Sequence, residues 1–171
     1  MMDLPDDLPV NERNAVRLVV VDVENRVLLF RIREHMHPEQ DDCWELPGGG
    51  IDAGEDHVTA ALRELREESG ILVQPRDIGP VTWTRQATFR HAGERRLQHE
   101  VVVSVRLNQR GPDVDESGQL QDELDTYLGA RWWRIDEIES STERFYPGRL
   151  PALLRRFFDG EHIEEPFEYF S

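Results

Sequence analysis

Short apolar runs separated by polar punctuation run the length of the chain, and their spacing changes between the two periods that mark strands and helices. A polar leader through Arg13, expected to be flexible, precedes the β-branched stretch Ala15 to Val23. That stretch and the run Arg26 to Ile32 flank Glu24-Asn25, a turn signal, so the two read as a hairpin. Residues 33–43 carry His35, His37, Pro38 and several acids and read as a loop before the short apolar piece Trp44-Glu45-Leu46. Pro47 to Gly50, a proline and three glycines, is expected to interrupt regular structure. From Glu55 to Ser69, Val58, Ala61, Leu62 and Leu65 recur at three- and four-residue spacing, which predicts a helix stopped by Gly70.

Beyond this helix, Ile71 to Val73, Val81 to Thr84, Ala87 to Arg90 and Val101 to Leu107 read as strands, with His91-Ala92-Gly93-Glu94 as a hairpin turn. Asn108 to Asp125 holds six carboxylates and one arginine and reads as a loop, long enough to carry function or to move. Arg131 to Arg134 reads as a last strand, followed by a short helix from Asp136. Pro151 then opens an amphipathic helix built on Leu153, Leu154, Phe157 and Phe158. No internal repeat or linker divides the chain, so residues 14–160 are expected to form one domain, followed by an acidic and aromatic tail over 161–171.

Composition narrows the function classes. Twenty basic residues against 35 acidic ones give a net charge of −15, a field that repels nucleic-acid backbone and anionic membrane, so neither a nucleic-acid polymer nor a membrane is an expected partner. All the basic residues are arginine, which excludes lysine-based Schiff-base chemistry. The lone Cys43 can form no internal disulfide, and the acidic start lacks the layout of a signal peptide, so a cytoplasmic protein is expected.

The candidate chemistry lies in the central helix. Glu64, Glu67 and Glu68 stand at i, i+3 and i+4, which places three carboxylates within an arc of roughly 100°. Like charges at this spacing destabilise a helix, so an isolated acidic stripe would read simply as a solvated face. Pro47 to Gly50 changes that reading, because backbone without side chains can approach a ligand beside the arc. Hard cations take oxygen ligands of this kind together with substrate phosphates, which points to a metal–phosphate site.

Gly49, five residues, Glu55, seven residues and then Arg63-Glu64-Leu65-Arg66-Glu67-Glu68-Ser69-Gly70-Ile71 resembles the Nudix box at nine fixed positions across 23 residues. Trp44 to Gly50 resembles the family's lead-in, and Arg131-Trp132-Trp133 with Asp136-Glu137-Ile138 its last core strand and following helix. The resemblance implies the Nudix α/β/α sandwich, a mixed sheet between helices. It implies hydrolysis of a nucleoside diphosphate linked to another moiety, with Mg²⁺ or Mn²⁺. By position, Glu64, Glu67 and Glu68 would be metal ligands, one of them serving the attacking water. The Gly48 carbonyl would be a further ligand, and Glu55 with Arg63 would brace the loop against the helix.

Around that centre, Arg31, Arg33 and Arg85 are candidates to clamp phosphate oxygens, and Trp83 or Phe89 to stack on a base. A carboxylate from outside the box would complete the site, either Glu123 in the acidic loop or Glu100 at the entry to a strand; Glu123 fits the resemblance better. His35-Met36-His37 lacks a third metal partner, and Cys43 lacks a partner base. A non-catalytic nucleotide sensor and a Nudix-fold isomerase are the competing readings; the first would be favoured by lost box carboxylates, and the second needs a degraded box. The features expected of ADP-ribose, dinucleoside polyphosphate and coenzyme A hydrolases are all missing, so the substrate stays open within small nucleotide derivatives. A homodimer is compatible with the resemblance.

Overall fold

The computed structural model describes residues 4–5, 8–34 and 39–170. His35-Met36-His37 therefore lies outside the described residues. In chain order the elements are β1 (Val10–Val21), β2 (Arg26–Ile32), β3 (Cys43–Glu45), β4 (Gly48–Gly50), α1 (His57–Ser69), β5 (Trp83–His91), β6 (Glu94–Arg106), α2 (Gln121–Thr126), β7 (Tyr127–Arg134), α3 (Ile135–Ser140), β8 (Arg144–Tyr146), α4 (Leu150–Phe158), β9 (Ile163–Glu164) and β10 (Glu168–Tyr169).

The sheet is organised by β1. It runs parallel to β6 over twelve residue pairs, from Val10 opposite Arg95 to Val21 opposite Arg106. Its other edge is shared: β4 pairs antiparallel with Ala15–Arg17, and β2 meets it at Val21 opposite Val27. β5 continues the sheet beyond β6, and β9 and β10 extend it by pairing parallel with β5. On the opposite side β2 carries both β3 and β7, and β8 lies parallel to β3. Parallel and antiparallel pairs thus mix in one curled sheet with helices on both faces. Val16, Leu18 and Val20 pack with Ala60, Ala61 and Leu65 of α1. Val19 and Val21 face Ile138, Leu150, Leu154 and Phe157 of α3 and α4. A strand covered on both faces reads as a continuous apolar run rather than an alternating one, which accounts for the sequence of β1.

Several expectations are corrected. The strand begins at Val10, so the last part of the expected leader is paired with β6. The expected hairpin pairs only next to its turn, because β1 leaves β2 for β6 and β4. Pro47 to Gly50 does not interrupt the sheet: Gly48–Gly50 forms β4, and the missing side chains allow close approach to β1, where a Cβ on Gly48 would collide with the Val16 carbonyl. Ile71 to Val73 is not a strand. Val81 to Thr84 and Ala87 to Arg90 are not two strands but belong largely to β5. The expected loop over 108–125 contains a 3-10 turn at Glu116–Gly118 and most of α2. The hairpin turn at Ala92-Gly93 is present, with φ of 50° and 79°.

The β1–β2 turn hangs on Asp22, which is 3% exposed. Its Oδ1 accepts from the amides of Glu24 and Arg26, both at 2.9 Å, and its Oδ2 from the amide of Gly111 at 3.0 Å and from the Arg26 guanidinium. Burial pushes this carboxyl up, but the hydrogen bonds from Arg26 and Gly111 more than reverse it, and the carboxyl is held below its usual range. Asp22→Ala leaves three backbone amides unpaired and is expected to cost about 1–3 kcal/mol in urea unfolding. A depressed carboxyl contributes stability above its unfolded value, near 3.9, and loses it as pH falls through the lower folded value. The gap between wild type and variant should therefore narrow below about pH 4.

Candidate active site

Asp56 caps α1 by accepting from the Thr59 amide at 2.7 Å, and Gly70, with φ of 72°, ends it. Between these stops the helix turns its acidic side toward β4. The Glu64 carboxylate, 7% exposed, lies against Gly49 so closely that a Cβ there would come within 2.6 Å of it. One turn on, Glu68 accepts from the Gly48 amide at 2.8 Å. The glycines of β4 thus let two carboxylates lie directly on backbone.

Arg63 ties strand, loop and helix together. Its Nε and Nη2 donate to the two oxygens of Glu55 at 3.0 and 2.8 Å. Nη2 also reaches the Gly50 carbonyl at 2.8 Å, and Nη1 donates to Glu64 at 2.7 Å. Glu55 in turn accepts from the Asp52 amide at 3.0 Å. The Arg63 hydrogen bond leads in holding the Glu55 carboxyl down, and Glu55 likewise leads in holding the guanidinium charged.

The segment between β6 and β7 docks on the end of α1: Gln119 donates to the Glu68 carbonyl at 2.9 Å, and the Asp115 amide to the Ser69 carbonyl at 2.9 Å. This docking puts α2 beside the glycine strand. Glu64, Glu68 and Glu123 then offer oxygens that all lie within 4.8 Å of one another. Burial raises the carboxyl of Glu64 against the pull of Arg63, and raises that of Glu68 well above its usual value against the Gly48 amide hydrogen bond. Desolvated carboxylates this close repel unless a cation or protons neutralise them. On an octahedral ion with bonds near 2.1 Å, ligand oxygens lie about 3 to 4 Å apart, so the donor set fits a hard divalent cation.

Glu67 is outside this trio and lies 3.4 Å from Arg63 Nη1. Glu100 is withdrawn from the site: it is 1% exposed and held by Arg17, Arg85 and the Tyr146 hydroxyl. Trp83 is fully buried beside Phe157 and donates its indole N–H to Glu165 at 2.7 Å, so it cannot stack on a ligand. Arg85, 3% exposed, is spent on Glu100, Glu165 and Glu168 and is not a free phosphate clamp. Arg31 pairs with Asp42 at 3.1 Å. Arg33 and Phe89 line one small cavity together. Burial pushes the Cys43 thiol up, which keeps it protonated and suits a packing role.

Sequence reasoning passed over Arg13, Arg17 and Glu45. Burial and the neighbouring Arg96 and Arg17 bring the Arg13 guanidinium down to about 10, while Glu64 opposes the shift. Burial raises the Glu45 carboxyl against the pull of Arg17. The available signal was Arg17 itself, a charge inside the apolar run of β1.

The family model of the NUDIX domain matches residues 11–155. The chain belongs to the Nudix family. This Nudix chain is 39% identical over 165 residues to the RNA pyrophosphohydrolase of Rhodopseudomonas palustris, covering 88% of the chain and 87% of that protein. A shorter match to the RNA pyrophosphohydrolase of Pelagibacter ubique is 41% identical over 71 residues, 42% of the chain and 41% of that protein. The crystal structure of a MutT protein from Methanosarcina mazei shares the fold, with a TM-score of 0.55 at 21% identity over 90% of this chain and 93% of that one.

In the Nudix box of this chain, Glu55 and Arg63 should behave as one unit. Glu55→Ala and Arg63→Ala are expected to be non-additive in urea unfolding, with a coupling of about 0.5–2 kcal/mol, kept modest by partial exposure of Arg63. Additive single effects would mean that the two side chains stabilise the protein independently.

Proposed function

We propose that this Nudix pyrophosphohydrolase cleaves a phosphoanhydride bond of a small nucleoside diphosphate derivative, with Mg²⁺ or Mn²⁺ held at Glu64, Glu68 and Glu123. The convergence of those three oxygens within 4.8 Å beside the glycines of β4 carries this reading. The Gly48 carbonyl is the proposed backbone ligand, and Glu67 a further ligand after turning away from Arg63. A bound divalent ion would neutralise charge on the substrate phosphates and lower the pKa of a bound water.

The protein's own groups have separate tasks in this reading. Glu64 and Glu68 are fixed by Gly49, Arg63 and the Gly48 amide, so they suit permanent positions. Glu123 stands on a six-residue helix in an acidic segment, and its carboxylate also accepts from the Leu120 amide at 2.7 Å. It suits the role of a group that orients or deprotonates the attacking water once substrate is in place.

The net charge of −15 favours small nucleotides over polymers. A second reading, a 5′-polyphosphorylated RNA end, is favoured by the names of the relatives. Both place the same chemistry at the carboxylates. Turnover of nucleoside triphosphates, nucleotide sugars, dinucleotides and 5′-triphosphorylated RNA, compared at equal concentration, separates them. Efficient release of pyrophosphate from RNA alone would select the second.

Activity on the best substrate is expected to vanish in EDTA and return with Mg²⁺ or Mn²⁺. Glu68→Gln should lower kcat by orders of magnitude while the thermal melt stays cooperative, and Glu123→Gln should lower kcat more than it changes KM. Near-wild-type rates in Glu68→Gln would remove the metal assignment.

A further inference from the structure

Residues 161–170 lie beyond the family-matched residues 11–155, yet Ile163–Glu164 and Glu168–Tyr169 are built into the sheet. Glu168–Tyr169 pairs with Ala87–Thr88, and the Phe170 amide donates to the Thr88 carbonyl at 3.0 Å. Arg85 reaches across to Glu165 and Glu168, so buried charge fastens the tail to β5. This brings Phe170 edge-on to Tyr146, with ring centroids 4.7 Å apart at 89°. The Arg144 guanidinium lies 4.3 Å over the Phe170 ring. Phe89 meets the same Tyr146 ring at 6.0 Å and 79°.

These three rings wall a cavity of about 130 Å³ whose polar lining comprises Arg17, Arg33, Glu34, Glu45 and Arg90. Arg17 pairs in register with Gly48, whose amide donates to Glu68, so the cavity's polar side adjoins the strand on which the carboxylate trio lies. The cavity is well below the roughly 300–1,000 Å³ of pockets that enclose a whole drug-sized ligand, so it takes only part of one. Aromatic walls stack on or edge against a planar ring, while a guanidinium and a carboxylate can bond the donors and acceptors on that ring's rim.

We propose that this cavity receives the nucleobase of the substrate and that Phe170, supplied by the tail, is a specificity-determining wall of it. The proposal deepens the hydrolase reading and rests on it for placing the phosphates at Glu64, Glu68 and Glu123. Tyr146 is locked by its hydrogen bond to Glu100 and by flanking Arg17 and Arg85, each 4.8 Å from its ring. Phe170 is half-buried at the edge of the wall and can be changed without breaking that network.

The test compares Phe170→Ala and Phe170→Tyr in the full-length protein, with ATP and GTP as base-bearing substrates and inorganic tripolyphosphate as one that has phosphoanhydride bonds but no ring. Phe170→Ala is expected to raise KM for the better nucleotide by about tenfold, the effect of losing one stacking partner, with kcat within about twofold. Tripolyphosphate kinetics should stay as in wild type, and Phe170→Tyr should restore KM. Equal changes on tripolyphosphate, or an unchanged KM on both nucleotides, would overturn the proposal. Calorimetric titration with AMP and GMP gives a readout that needs no turnover. Weaker binding in Phe170→Ala, with an unaltered melt, supports the cavity even if the wild type hydrolyses nothing on this panel, whereas unaltered affinity, or no binding to wild type, rejects it.

Discussion

A carboxylate as deeply buried as Glu100 must be neutralised where it stands, and the sheet is arranged around that requirement. Burial pushes its carboxyl up, but Arg17 and Arg85, helped by the Tyr146 hydroxyl, more than reverse this and keep it ionised. Removing one member of such a network leaves an unpaired charge in a dry interior, at a cost of several kcal/mol. The members come from separate places: Arg17 from β1, Arg85 from β5, Glu100 and Gln98 from β6, and Tyr146 from β8. Their shared charge ties β1, β5 and β6, which lie side by side, to β8 at the other end of the strand order. Through Arg85 the same network reaches Glu165 and Glu168 and so holds the tail.

The candidate site begins one residue away from that balance. Arg17 serves Glu100 directly and lowers the charge cost at Glu45 and Glu68. On the far side Arg63 does the equivalent for Glu55 and Glu64. The carboxylate trio therefore lies between two arginines: Arg63 donates to Glu64 within it while gripping Glu55, and Arg17 is committed to Glu100. Neither can turn fully onto all three carboxylates without abandoning a buried or bidentate partner. Three converging acids thus outnumber the positive charge that reaches them, which is the condition the proposed cation site requires.

The parts of this arrangement that were legible in the sequence are the ones with a fixed local spacing. Helical periodicity located α1, Gly70 located its end, and the spacing of Gly49, Glu55, Arg63, Glu64 and Glu68 drew attention to residues that the structure brings together. The apolar runs identified β1, β2 and β6 as strands, but not their partners. Pairing of β1 with β6 joins segments about 85 residues apart, and no local signal encodes it. Trp83 and Arg85 looked like ligand contacts because stacking and phosphate binding use the same residue types as core packing and buried ion pairs. Their environment is set by Phe157, Glu165 and Glu168, which lie more than 70 residues downstream.

Pro47 to Gly50 is the most instructive misreading. Three glycines normally weaken a strand, and propensity argues against one here. What overrides propensity is the lack of side chains itself: β1 on one flank and the Glu64 carboxylate on the other leave no room for a Cβ on Gly48 or Gly49. The strand exists because the site needs bare backbone at that place, and β1 supplies the hydrogen bonds that keep the backbone extended. Local preference fails where a strand edge, a helix face and a set of acids must occupy adjoining volumes. The same demand gives α2 its place: without the docking of Gln119 and Asp115 on the end of α1, Glu123 would be one of several solvated acids, as composition alone suggests. The box residues thus supply two of the three converging carboxylates, and tertiary packing from outside the box brings the third.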